Sequence, residues 1–357
     1  MTIKSGGEVR EAQDAASRAA LRWASDEEPG FRRRRAGQGF TYLDCSGHAL
    51  RDRATLDRIR ALAIPPAWTD VWICAAPDGH LQATGRDQRG RKQYRYHADW
   101  HRVRAADKYA HLIGFAESLP RIRRHVAGDL MLRGMPWERV IATVVRLLET
   151  TLIRVGNREY AVANESYGLT TINSRHVEVH GSEIRLLFTG KGGREVEVAA
   201  HDVRAARIVR RCEELPGQQL FQYLDGSGGR HPIESSDVNE YLRRAAGRDV
   251  TAKDFRTWAG TLIVAEALAR EGPADSERAG ERRIIRAIDA AAAELGDTRA
   301  VCRACYVHPA VLESYRDGSL FDRMLAPPPS RPSGLRASER RMLAVLREAT
   351  GRRSDDR

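Results

Sequence analysis

The sequence predicts an α+β protein, with a small strand-rich domain first and then a larger, mainly helical domain that carries a compact β insertion. Three observations predict this. Short runs of β-branched and aromatic residues, punctuated by Gly, Pro and Asp, crowd residues 39–97. Apolar residues then recur at helical spacing from about residue 106 onward. Between 168 and 200 that period is interrupted by four short runs with turn residues between them.

The elements follow in order. Residues 1–25 read as a polar arm with room for a short helix. Residues 26–105 make the strand-rich domain, with strands at "GFTYLD" (39–44), "VWICAAP" (71–77), "HLQATGRD" (80–87) and "KQYRYH" (92–97). Pro77-Asp78-Gly79 turns the chain between the second and third of these. The helix "TLDRIRALAI" (55–64) interrupts the strands and stops at Pro65-Pro66. Residues 106–325 make the helical domain, in which "WERVIATVVRLLETTLIRVG" (137–156) is an amphipathic helix running to Arg154 and closed by Gly156. The insertion holds three to four strands, "GLTTI", "HVEVH", "EIRLLFTG" and "REVEVAA". Helices are expected over about 201–213, 236–246, 254–270, 280–295, 299–307 and 309–317. Residues 326–357 comprise the linker "APPPSRPSG" and a short extra helix.

The chain has 357 residues, and an apolar share of 42% can fill a sizeable core. Lys and Arg number 59 against 48 Asp and Glu, a net charge of +11, which suits a polyanionic partner such as nucleic acid. The same balance also fits a soluble protein that is simply rich in arginine. No run approaches the roughly 18 apolar residues of a membrane span, and the start "MTIKSGGEVREAQDAASRAA" lacks a signal peptide's apolar core. A cytoplasmic, nucleoid-associated protein is expected. Five cysteines are an odd and small number for this length, which argues against a disulfide framework. No G-x-x-x-x-G-K-[ST] phosphate loop and no carboxylate cluster is present, so neither a cofactor nor a metal is expected.

The stretch "AVCRACYVHP" (300–309) holds a Cys-x-x-Cys pair directly before a tyrosine. A zinc site needs a second ligand pair, and a thioredoxin-like pair needs a strand in front of it; neither is found. Cys302 and Cys305 therefore read as small apolar filler, and Tyr306 stands out. Three upstream cations sit beside local structural devices. Arg154 ends a helix. Lys191 occupies the glycine-rich tip of a hairpin, "TGKGG". Arg256 lies in "KDFRTWAG", near a helix start whose dipole favours an anion.

Together, "LIRVGNREYAVANESYGLTTINSRHVEV", "LLFTGKGG", "KDFRTWAG" and "LGDTRAVCRACYVHP" resemble the catalytic domain of the poxvirus and bacterial type IB DNA topoisomerases, a fold shared with the tyrosine recombinases. "IPPAWTDVWI" and "LQATGRDQRGRKQYRYHADW" are similar to that family's small β-rich domain. The resemblance spans about residues 30–320. It implies catalytic places for Arg154, Lys191, Arg256 and the nucleophile Tyr306, and DNA contacts for Gln93, Tyr94, Tyr96 and Tyr160. The fifth catalytic place, nine residues before the tyrosine and usually His or Asn, falls on Asp297. An ionised aspartate accepts hydrogen bonds but donates none, so it must be protonated, turn away or pair with Arg299, or else leave a slower enzyme.

The implied chemistry suits these residue types. Tyrosine stores a cleaved phosphodiester as a 3′-phosphotyrosyl ester, so resealing needs no ATP. Arginine presents parallel donors to a phosphate and stays charged. Lysine can yield a proton to the departing 5′ oxygen, which arginine cannot. Lys253 adds a phosphate contact. A single copy of the chain is expected to clamp double-stranded DNA between its two domains. Two rivals remain: a tyrosine recombinase or integrase, which usually shows His-x-x-Arg where this chain has Lys253-Asp254-Phe255-Arg256, and a basic protein that binds DNA without cutting it.

Overall fold

The computed structural model describes the backbone of residues 6–327 and 334–355, and within them all side chains except those of 6–11, 101, 104–108, 110, 159, 160, 163 and 350–355. The chain divides into two compact units, Met1–Tyr109 and Ala110–Arg357.

The first unit opens with α1 (Gly6–Arg18), whose Ala12, Ala15 and Ala16 are buried with Leu21 and Trp100. Over its described residues the expected polar arm is thus largely a packed helix. Alanines at i, i+3 and i+4 supply the apolar stripe that their small side chains conceal in the sequence. Next come β1 (Gly30–Ala36), β2 (Gly39–Leu43), α2 (Arg53–Ala61), β3 (Thr69–Cys74), β4 (Leu81–Arg86) and β5 (Lys92–Tyr96). The strands form one antiparallel sheet in the order β2-β1-β3-β4-β5. Asp52 caps α2 by accepting from the Thr55 amide at 2.8 Å, and Ile59 packs on Val71, Ile73 and Ala83 of the sheet. Strand β1 was not expected, because "GFRRRRA" shows no apolar alternation. Its inward Arg33 instead donates to the carbonyls of Ile64, Pro65 and Trp68 just beyond α2. Gly30 lets β1 close on β3, since a Cβ there would lie 2.6 Å from the Ile73 carbonyl oxygen.

Helix α3 (Ala98–Asp129) leads into the second unit, followed by α4 (Trp137–Thr151) and α5 (Arg158–Asn164). The insertion has three strands, β6 (Val177–His180), β7 (Glu183–Gly190) and β8 (Arg194–His201), paired in that order. "GLTTI" is a turn, not a strand: the Thr171 and Ile172 amides both return to the Gly168 carbonyl. Strand β7 alternates cleanly, with Ile184, Leu186 and Phe188 inward. After α6 (Val203–Glu213), two three-residue strands, β9 (Gln222–Leu224) and β10 (Arg230–Pro232), make an unexpected hairpin. The remainder is helical: α7 (Ser235–Ala246), α8 (Ala252–Glu271), α9 (Glu277–Glu294), α10 (Arg299–Tyr306), α11 (Pro309–Arg316), α12 (Ser319–Met324) and α13 (Ala337–Asp355). Helix α8 packs against α9, α10, α11, α12 and α13, with Val264, Ala265 and Leu268 fully buried. No helix among the described residues is long and apolar enough to cross a membrane.

The closing helix α13 is not a loose appendage, since Met342, Leu343, Val345 and Leu346 enter the core of the second unit. Arg123 of α3 fixes it, donating to Glu339 at 2.6 and 2.9 Å and to Glu149 of α4 at 2.7 Å. Burial raises the Glu339 carboxyl, but the Arg123 hydrogen bonds outweigh it and hold the group below its ordinary 4.5. A carboxylate lowered in the folded state adds stability above about pH 4.5 and loses it as the pH falls through the folded value. Arg123→Met, which strands the buried Glu339 carboxylate and the partly buried Glu149, should cost about 3–5 kcal/mol of unfolding free energy at pH 7. Urea titration of both proteins checks this, and the deficit should shrink as the pH drops below 4.5.

Candidate active site

The site is built from four segments that are distant in the chain. Helix α4 stops at Thr151 because Leu152 turns into the left-handed region at φ 56°. Arg154 therefore lies beyond the helix, in a segment without regular secondary structure, not in its last turn as expected. For a residue with a Cβ this conformation costs about 1–2 kcal/mol. It turns the Leu152 carbonyl to Arg256, whose Nη1 donates to it. The segment after Leu152 is braced by a close backbone approach: a Cβ on Gly168 would lie 2.5 Å from the Arg154 carbonyl oxygen and 2.6 Å from the Gly156 nitrogen. The Leu169 and Thr170 amides donate to the carbonyls of Arg154 and Val155 at 3.0 and 2.7 Å.

Arg256 sits on α8, which opens with a capping box between Thr251 and Asp254. The Ala252 amide is taken by Asn239 Oδ1 at 3.0 Å, so the anion seat expected at this helix start is partly filled from within. Lys253 is exposed one residue further on. The Arg256 side chain is held by three acceptors: the Leu152 carbonyl, the Leu295 carbonyl at 2.7 Å and Asp297 Oδ2 at 2.7 Å. Although Arg256 is only 4% exposed, its Nε has no acceptor among the described residues. Its guanidinium carbon stands 4.9 Å from the centre of the Tyr306 ring.

Asp297 lies in the link between α9 and α10, after Gly296 at φ 61°. Its two oxygens bridge the arginines, Oδ1 accepting from Arg154 Nη2 at 2.6 Å and Oδ2 from Arg256 Nη2 at 2.7 Å. The side chain is 8% exposed. The pairing with Arg299 weighed from the sequence does not occur, because Arg299 binds Asp289 through two bonds of 2.5 and 2.6 Å. Tyr306 ends α10 and is buried. Lys191 is exposed at the β7–β8 turn, where Gly192 and Gly193 take φ of 82° and 75°. It lines a cavity of about 150 Å³ with Arg154, Arg256, Tyr167 and Phe188. Glu195 and Glu197 line the same cavity.

The neighbours of Tyr306 have structural explanations. Burial pushes the Cys302 thiol up to about 11, with the Asp297 charge adding to it, which makes a poor nucleophile or ligand. No cluster of three or more His, Cys, Asp or Glu suited to a metal occurs among the described residues. His308 is buried and caps α11, its Nδ1 accepting from the Ala310 amide at 3.0 Å.

In the first unit the expected DNA contacts separate. Lys92, Tyr94 and Tyr96 share one face of β5, while Gln93 points to the other and donates to Asp87 at 2.9 Å. Tyr94 is 47% exposed and stacks on Tyr96 at 6.0 Å, and Tyr96 in turn packs beside Trp100. The exposed Arg32 and Arg34 of β1 share the tyrosine face, following the register Arg32–Trp72, Trp72–Thr84, Thr84–Tyr94. Their signal in the sequence is the run Arg32-Arg33-Arg34-Arg35, whose alternate members had to fall on one face once the strand was recognised. Tyr160 belongs to α5, and its side chain lies outside the described residues.

The family model for the catalytic core of eukaryotic DNA topoisomerase I matches residues 97–320, and that for the N-terminal domain of bacterial DNA topoisomerase IB matches residues 39–87. The DNA topoisomerase 1B of Acanthamoeba polyphaga mimivirus is 30% identical over 299 residues, covering 82% of this chain and 89% of that protein. The DNA topoisomerase 1B of Vaccinia virus (strain Copenhagen) is 23% identical over 284 residues, covering 76% and 85%. With the catalytic-core model matching more than half of the chain and the mimivirus enzyme similar over most of it, this chain belongs to the type IB DNA topoisomerase family.

Proposed function

We propose that this chain relaxes supercoiled DNA with Tyr306 as its nucleophile and with Arg154, Arg256 and Lys191 as its phosphate-handling groups. The Arg256 guanidinium, 4.9 Å from the centre of the Tyr306 ring and joined to Arg154 through Asp297, is the observation that carries this reading; its buried Nε has no acceptor among the described residues. A buried charged donor without an acceptor is costly, and a nonbridging phosphate oxygen would satisfy it. In the reaction the Tyr306 oxygen bonds to phosphorus as its proton passes to water, the bond to the 5′ oxygen breaks, and Lys191 supplies the proton that oxygen needs. Arg154 and Arg256 oppose the charge gathering on the nonbridging oxygens, where each such donor is typically worth roughly 3–4 kcal/mol of barrier. Reversal of the same steps reseals the strand. The ester keeps the energy of the broken bond, so no ATP is spent.

Asp297 serves as the internal counter-ion of the two arginines in the resting protein. Arg256 reaches it through Nη2 alone, so a phosphate oxygen that displaces the groups covering Nε can pair with that atom while the Asp297 contact persists. DNA is gripped by both units of a single chain, the first through the face that carries Arg32, Arg34 and Tyr94. Lys253 adds a phosphate contact.

Tyr306→Phe should abolish relaxation of supercoiled plasmid in EDTA without ATP while retaining DNA binding; a linking number that still changes would assign the nucleophile elsewhere. Asp297→Asn keeps an acceptor in place and removes the negative charge that a phosphate must face. Its single-turnover cleavage rate should match or exceed that of the unaltered protein, and a large loss would mean that the carboxylate is itself needed. Because phosphate contacts release counterions, Arg32→Gln should weaken binding evenly across DNA sequences. The slope of log K against log salt should become shallower by about 1, as read by anisotropy titrations at several salt concentrations.

A further inference from the structure

The end of α10 poses a physical problem. The chain leaves the helix at Tyr306, and Val307 is extended at φ −116° and ψ 123°. The Tyr306 carbonyl and the His308 amide are then both buried and beyond the reach of helical bonding. One side chain answers both. Thr261 of α8, 0% exposed, has its Oγ1 3.2 Å from the Tyr306 carbonyl oxygen and accepts from the His308 amide at 3.1 Å. The same hydroxyl lies 2.7 Å from the Thr257 carbonyl of its own helix, so its single proton is shared between two carbonyls.

The preceding residue sets the distance. A Cβ on Gly260 would come 2.7 Å from the Tyr306 carbonyl oxygen and 3.0 Å from the Tyr306 Cβ, closer than a packed structure tolerates. One turn earlier on α8, Arg256 stands against the Tyr306 ring at 4.9 Å. A single helix therefore meets the tyrosine at its ring and at its Cβ and carbonyl, and holds the His308 amide two residues on.

We propose that Thr261 is a positioning residue for the Tyr306 nucleophile, and that with Gly260 it fixes the tyrosine main chain relative to Arg256. This rests on the reading of Tyr306 as the nucleophile. A reacting atom misplaced by about 1 Å can lose about 100-fold in rate. A residue that only supported the fold would instead lower the number of competent molecules.

The test uses the full chain and a DNA duplex whose downstream strand is short enough to dissociate after cleavage, which traps the covalent adduct. Its amplitude counts folded enzyme, and its rate constant reports alignment. Thr261→Val, similar in shape but without the hydroxyl, should lower the rate constant about 100-fold and leave DNA affinity unchanged. Thr261→Ser should restore most of the rate. Gly260→Ala leaves the hydroxyl in place, should slow cleavage as well, and decides the matter if Thr261→Val does not fold. The proposal is overturned if Thr261→Val cleaves at the normal rate constant with reduced amplitude, if Thr261→Ser is as slow as Thr261→Val, or if Gly260→Ala cleaves normally. An adduct that persists in Tyr306→Phe defeats the nucleophile assignment itself. Its absence there, beside normal cleavage by Thr261→Val, defeats only the positioning role.

Discussion

Two arginines proposed to grip one phosphate have first to tolerate each other. Two unit charges 4 Å apart repel by roughly 4 kcal/mol at the effective dielectric typical near a protein surface. The Asp297 carboxylate resolves this by standing between Arg154 and Arg256 and binding each through a separate oxygen. It joins the exit of α4, the first turns of α8 and the α9–α10 link into one unit. The strained Leu152 belongs to the same arrangement, since its carbonyl and that of Leu295 complete the cradle of Arg256. The end of the site proposed to bind phosphate is thus held together by the protein's own groups.

Helix α8 is the ruler of this arrangement. It lies at the centre of the helical unit, and residues one turn apart on it address the phosphate cradle and the tyrosine. A helix rises about 1.5 Å per residue and is stiff over this length, so the spacing between the arginine cradle and the Tyr306 main chain is set by backbone geometry. Lys191 is supported differently, on a glycine turn at the end of β7. That division matches the chemistry proposed for them: fixed groups stabilise charge, and a more freely jointed one carries a proton to an oxygen that moves away.

Elements whose side chains advertise their period were legible in the sequence. Strand β7 alternates without error, and the apolar stripe of α4 announces a helix. The end of α4 was not legible, because a left-handed Leu152 has no compositional mark and Gly156 looked like the terminator. Strand β1 hid behind arginines whose acceptors are backbone carbonyls distant in sequence. The site residues Arg154, Lys191, Arg256 and Tyr306 came from motifs that resemble a family, and Arg154, Lys191 and Arg256 line one cavity. The partners of Asp297 lie 143 and 41 residues away, so the sequence offered only the nearby Arg299 as one of several fates for this side chain, and Asp289 already holds Arg299. Gln93 illustrates a simpler limit: neighbours on a strand take opposite faces, and a contiguous motif cannot present all its members to one ligand.

Helix α13, tied to Arg123 and packed on α8, follows Tyr306 in the chain. A ribosome therefore releases Tyr306 before it releases the helix that buttresses the scaffold around it. A nascent chain bearing Tyr306 still lacks one wall of the unit that holds this tyrosine, and that wall arrives only as translation continues.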